Sequence, residues 1–120
     1  TSGWLQRLYD LGIEIHTRST FLQGLLLIPR TEIPVKFERW AHLWDAWHDV
    51  LQCNNLAATT ACLWYPLNLP QVNRVVVGVD SVVQLRELIA VTQSPPILMD
   101  CSTLACDDES LINPTQWSRL

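Results

Sequence analysis

Residues 74–88, RVVVGVDSVVQLREL, restrict the fold more than any other stretch of the chain. Val75, Val76 and Val77 form a short unbroken apolar run, the pattern of a strand covered on both faces. Gly78 closes it. Ser81 has Gln84 three residues on, a capping-box spacing, and Leu85, Leu88 and Ile89 follow at helical intervals. Strand, tight turn and helix make one βα unit, which predicts a strand near 74–78 and a helix over 81–91. In α/β proteins such a unit brings backbone N–H groups and a helix N-terminus to the carboxyl edge of a sheet, where ligands bind.

A second unit of this kind precedes it. Residues 13–20, IEIHTRST, alternate strictly: Ile13 and Ile15 point one way, Glu14, His16 and Arg18 the other. Two readings stay open. One is an edge strand with a wet face; the other is a barrel strand whose front faces a polar interior near a ligand, with Glu14 and Arg18 either pairing through or beside His16 or finding their partners on other strands. Before this strand a helix is predicted over 3–11, capped by Ser2, ended by Gly12, and burying Trp4, Leu5, Leu8 and Leu11. After it, Gly24 and Pro29 mark a loop.

Pro34 opens an amphipathic helix over 35–51, with Phe37, Trp40, Leu43, Trp44, Trp47 and Leu51 on one face. That face reads either as a core-facing stripe or as a platform for a partner. A further helix over 56–65 runs to Pro66, and a turn at 69–71 leads into the strand at 74. Ser94-Pro95-Pro96 ends the pattern. Residues 1–94 therefore form the folded unit, and 95–120 a surface-hugging extension with one short helix near 102–107 and a solvated acidic end at Asp107, Asp108 and Glu109.

Composition narrows the function classes. Hydrophobic residues at 48% and charged residues at 17% exclude a disordered chain, and 120 residues suit one domain. A net charge of −4, with eight unclustered basic residues, argues against a nucleic-acid surface. No apolar run is long enough to span a membrane. Cys53, Cys62, Cys101 and Cys106 match no common zinc pattern and read as structural or incidental thiols in a reducing cytoplasm. No metal site, phosphate loop, nucleophile elbow or paired catalytic carboxylates is visible. Thr1 stands where an initiator Met is expected, so the chain reads as part of a longer one.

Two blocks, LGIEIHTRSTFLQGLLLIP and LPQVNRVVVGVDSVVQLREL, with ACLWYPLNLP before the second, together resemble the C-terminal part of the aldo/keto reductase family. The resemblance covers roughly residues 3–91, and the tail segment LINPTQW resembles the ending of some bacterial members. It implies an α/β fold, the last two βα units of a (β/α)8 TIM barrel present as a fragment. The parent would transfer hydride between NAD or NADP and a small carbonyl substrate, with its catalytic Tyr, Lys, Asp and His on earlier strands. No catalytic residue carries over, so the isolated 120-residue chain is expected to be inactive.

What carries over is the cofactor edge. Ser19, Phe21, Gln23 and Gly24 match the family's loop along the nicotinamide and pyrophosphate. Arg18 falls where many members stack a Tyr on the nicotinamide, a role a guanidinium can also fill. Gly78, Val79, Asp80, Ser81, Gln84 and Glu87 match the segment that holds the adenosine end. The sequence departs from the family at Thr20, where Pro is common, at Leu88, where Asn contacts adenine, and at Asp80. A carboxylate at Asp80 repels a 2′-phosphate and suits the free ribose of NAD. The alternative is a non-catalytic α/β interaction module that binds through its Trp-rich helix. Under either reading, open strand edges near 13–17 and 75–77 predict a homo-oligomer.

Overall fold

The two predicted strands meet. In the computed structural model, which describes residues 2–120, β1 (His16–Thr17) and β2 (Arg74–Val75) pair in parallel, with His16 opposite Arg74 and Thr17 opposite Val75. The Asn73 and Arg74 amides donate to Ile15 O at 2.9 and 3.2 Å, and the Val76 amide donates to Thr17 O at 2.8 Å. The Asn73 side-chain oxygen accepts from Ile15 N at 2.8 Å, which sets the register from the strand's lower end.

The ladder is shorter than the alternation at 13–20 and the apolar run at 74–78 predict. Ser19 lies at φ 61°, in the left-handed region, and turns the chain out of the sheet just after β1. With β1 gone, β2 has no neighbour beyond Val76. The Val75–Val77 run is also not covered on both faces, since Val76 is 53% exposed. On β1, Ile15 is buried while Glu14, His16 and Arg18 face out, and Glu14 pairs with His16 at 3.0 Å rather than with Arg18.

Helices make up most of the fold. They are α1 (Trp4–Asp10), α2 (Ala41–Cys53), α3 (Ala58–Leu67), α4 (Val82–Gln93) and α5 (Glu109–Ile112), with 3₁₀ turns at Leu25–Leu27, Arg30–Glu32, Val35–Trp40, Ser102–Leu104 and Pro114–Arg119. The helix predicted over 35–51 is thus two pieces. Pro34 offers no side-chain cap, the first turns wind as 3₁₀, and Trp40 (φ −104°, ψ 24°) resets the backbone before α2. Its apolar face is nevertheless the predicted one: Phe37, Trp40, Leu43, Trp44, Trp47 and Leu51 are all buried.

The helix predicted over 56–65 begins two residues later, because the Leu56 amide closes back onto Leu51 O and Asn55 takes φ 51°. It passes through Pro66, whose missing N–H falls in the last turn. Ser81 caps α4 as predicted, its hydroxyl accepting from Gln84 N at 3.1 Å while Gln84 Oε1 accepts from Asp80 N at 2.7 Å. Of the predicted apolar face of α4 only Leu88 is buried, and α1 buries none of its residues fully. Trp4 and Leu11, expected inside, are 56% and 67% exposed.

The core has two parts. One gathers Leu25, Ile33, Phe37, Trp40, Leu43, Trp44 and Leu111; the other gathers Trp47, Leu51, Ala61 and Cys62. Leu111 corrects the expectation of a surface-hugging tail. It is 3% exposed, and Trp117, edge-on to Phe37 at 4.8 Å, packs on the same cluster. Asp108 anchors this region, accepting from the Trp40 indole at 3.0 Å and from Ser110 N at 3.0 Å.

The chain keeps much of its surface open. It exposes 8153 Å², about 1,500 Å² more than a folded monomer of 13.7 kDa typically shows. Val76, Val82, Val83, Leu85 and Ile89, around β2 and along α4, contribute apolar area to that excess. Among the described residues no helix is long and apolar enough to cross a membrane.

Candidate functional site

Because β1 and β2 run in parallel and in register, both leave the sheet at the same edge. Arg18 is the first residue past the paired rungs on one strand, Val76 on the other. The two sequence-predicted blocks, 18–24 and 78–87, therefore start from one edge, and from there they diverge.

The first block turns into a cleft of about 480 Å³. Thr17, Arg18, Ser19 and Thr20 form one wall, α2 contributes Leu43, Trp44 and Trp47, α3 contributes Ala61 and Cys62, and the tail closes it with Met99, Leu104 and Leu111. The loop that shapes this wall is strained. Ser19, Leu22 and Gln23 take φ 61°, 48° and 55°, and Gly24 takes φ 82° at the start of the Leu25–Leu27 turn. Left-handed backbone at non-glycine residues costs on the order of 1 kcal/mol or more each and persists where surrounding structure over-determines it. Here the Trp47 indole donates to Leu26 O at 3.0 Å and ties the loop to α2, while Leu25 is buried beneath it.

The predicted cofactor residues fall into three groups. Arg18 and Ser19 line the cleft. Phe21 instead packs on the Trp47–Ala61 cluster, and Gln23 is exposed next to Gly24. The second block stays outside: Gly78, Val79, Asp80 and Glu87 are exposed on the β2–α4 connection, and none of the six lines the cleft. Ser81 and Gln84 already use polar atoms to cap α4. The cleft also draws on residues no motif flagged, among them Thr17, Thr20, Cys62 and Cys101. For Cys101 the signal was absent because the tail that completes the cleft carries no periodicity; Thr17, Thr20 and Cys62 lie in predicted elements whose spacing does not single them out.

The electrostatics of the cleft are simple. Arg18, exposed at its rim, is the one charged side chain among its lining residues; no carboxylate or histidine lines it. Burial, with the nearby Cys101 adding to it, pushes the Cys62 thiol up to about 12. Burial and the Asp100 carboxylate raise Cys101 as well. Both thiols are therefore held in their neutral, poorly nucleophilic form. Outside the cleft, the hydrogen bond from His16 holds the Glu14 carboxyl below its ordinary range. No metal-binding group of His, Cys, Asp or Glu occurs among the described residues. The cleft as built can hold an apolar body and set one cation at its rim.

Comparisons with protein-family models, with curated proteins and with solved structures yield no match.

Proposed function

We propose that this chain is the cofactor-side, C-terminal part of an aldo/keto reductase-like oxidoreductase, its two strands the last two of a (β/α)8 barrel. In this reading the parent protein moves a hydride between NAD or NADP and a carbonyl, and the groups that carry out the reaction lie outside these 120 residues. One observation supports it above the rest: the two predicted strands pair in parallel, so that both blocks of the resemblance leave the sheet at one edge. The large open surface around β2 and α4 is what the removal of neighbouring barrel units would leave. Asp80 is exposed, which leaves its carboxylate available to a ribose hydroxyl.

The test is a titration of the purified chain with NADH and with NADPH, followed by Trp fluorescence. Saturable NADH binding that NADPH does not match is expected, and Asp80→Ser should narrow the gap. Binding of NADPH in preference to NADH overturns the role of Asp80. Binding of neither nucleotide means that the half-site is insufficient alone or that the cofactor function is lost, and the same titration on the full-length gene product separates the two. The alternative is an interaction module that binds through its Trp-rich helix; the burial of most of Trp40, Trp44 and Trp47 favours the first reading over it.

A further inference from the structure

We propose that the cleft beyond β1 binds a small apolar carboxylate, with the chain among Leu26, Trp44, Trp47 and Leu104 and the carboxylate on Arg18. This does not rest on the nucleotide reading: it concerns the interior of the cleft, between α2, α3 and the tail.

The size of the cleft, about 480 Å³, lies within the range of small-molecule sites. Its walls are apolar for a structural reason. The Trp44 indole N–H donates to Phe37 O at 2.9 Å and that of Trp47 to Leu26 O at 3.0 Å, so both rings spend their donors on the protein. What the tryptophans offer a ligand is apolar ring surface. Leu22, Leu26, Leu104 and Met99 extend it. Cys62, neutral at physiological pH, adds no charge.

Apart from the phenol of Tyr65 on α3, the hydroxyl and charged groups of the cleft sit at the end of β1. Arg18 makes no hydrogen bond or ion pair among the described residues, and no acidic side chain of the cleft neutralises it. A planar guanidinium with five donors matches a carboxylate. Thr17 and Thr20, in the same wall, have hydroxyl oxygens shielded from solvent and without a hydrogen-bond partner. Folded proteins rarely leave such groups orphaned. Both oxygens are shielded even from water, so a carboxylate reaches them only after a χ1 rotation, and Arg18 is its partner in the cleft as built. An alcohol of equal chain length fills the walls equally well but leaves Arg18 unpaired, and an amine places like charges together.

The experiment is calorimetry on the whole 120-residue chain with octanoate, octanol and octylamine, each below its micellar concentration, repeated on Arg18→Gln. Octanoate should bind one per chain, about tenfold more tightly than octanol, the effect of a hydrogen bond to a charged group. Octylamine should be the weakest. Arg18 is exposed, so R18Q should keep the wild-type circular dichroism; it should lose the octanoate preference and leave octanol unchanged. Equal affinities for octanoate and octanol in the wild type overturn the proposal. So does an R18Q protein that still prefers octanoate, or the absence of saturable binding.

Discussion

Leu111→Ala tests whether the tail is part of the fold. Leu111 is 3% exposed and shares a cluster with Leu25, Ile33, Phe37, Trp40, Leu43 and Trp44. Its neighbours come from the loop after β1, the 3₁₀ turn before α2, and α2 itself, so the site cannot collapse by shifting one segment. Removing a buried leucine side chain costs about 2–5 kcal/mol, of which the residual cavity is a part, and a rigid site of this kind belongs near 3 kcal/mol. With urea slopes of roughly 1–3 kcal/mol per molar for small proteins, the unfolding midpoint should fall by roughly 1–3 M. Urea titration followed by Trp fluorescence reads this directly, because Trp40 and Trp44 line the same cluster. Leu98→Ala, at a side chain 82% exposed in the same tail, should stay within about 0.5 kcal/mol of the wild type. Equal, small effects for the two substitutions would refute the docked tail and restore a surface-hugging extension.

Other measurements probe separate parts of the structure. Ser81→Ala removes the acceptor for Gln84 N and should destabilise α4 by about 1 kcal/mol, seen as faster amide exchange in its first turn, with α2 unaffected. Asp108 has its carboxyl held below its usual 3.8 by the Ser110 amide and the Trp40 indole. A depressed folded-state pKa contributes stability above the unfolded value that is lost as pH falls through the folded one, so Asp108→Asn should flatten the acid limb of the urea midpoint between about pH 5 and pH 2. Among the thiols, iodoacetamide at mildly alkaline pH should label exposed Cys53 first and spare Cys62, whose pKa of about 12 and burial both oppose reaction; labelling of Cys62 at the same rate would contradict the cleft as described. The chain should also self-associate, since covering an excess of about 1,500 Å² on each of two chains would bury about 3,000 Å², the size of an obligate homodimer interface; a monodisperse monomer at high concentration in sizing with light scattering would count against it.

The candidate site was legible only in part. Arg18 and Ser19 could be placed at the end of a strand because alternation over 13–20 has a period of two, and the edge they occupy follows from parallel pairing. That Phe21 and Gln23 would turn away from the cleft was not legible, because their orientation depends on left-handed backbone at Ser19, Leu22 and Gln23, residue types that do not announce it. Ser81 and Gln84 match a nucleotide-binding pattern and a helix cap equally well, and the structure engages them as a cap.

Local chemistry alone determined the capped start of α4, the turn at Gly12, and the buried stripe from Phe37 to Leu51. Each depends on residues within a few turns of one another, where spacing carries the information. Strand length, the two-part winding around Trp40 and the exposure of Val76, Leu85 and Ile89 were decided by which neighbours are there to pair with or cover them. The tail's place in the core was decided the same way. Leu111 and Trp117 sit in a stretch without periodicity, and what holds them is the gap between Phe37, Trp40 and Trp44, a shape that exists only once α2 has docked.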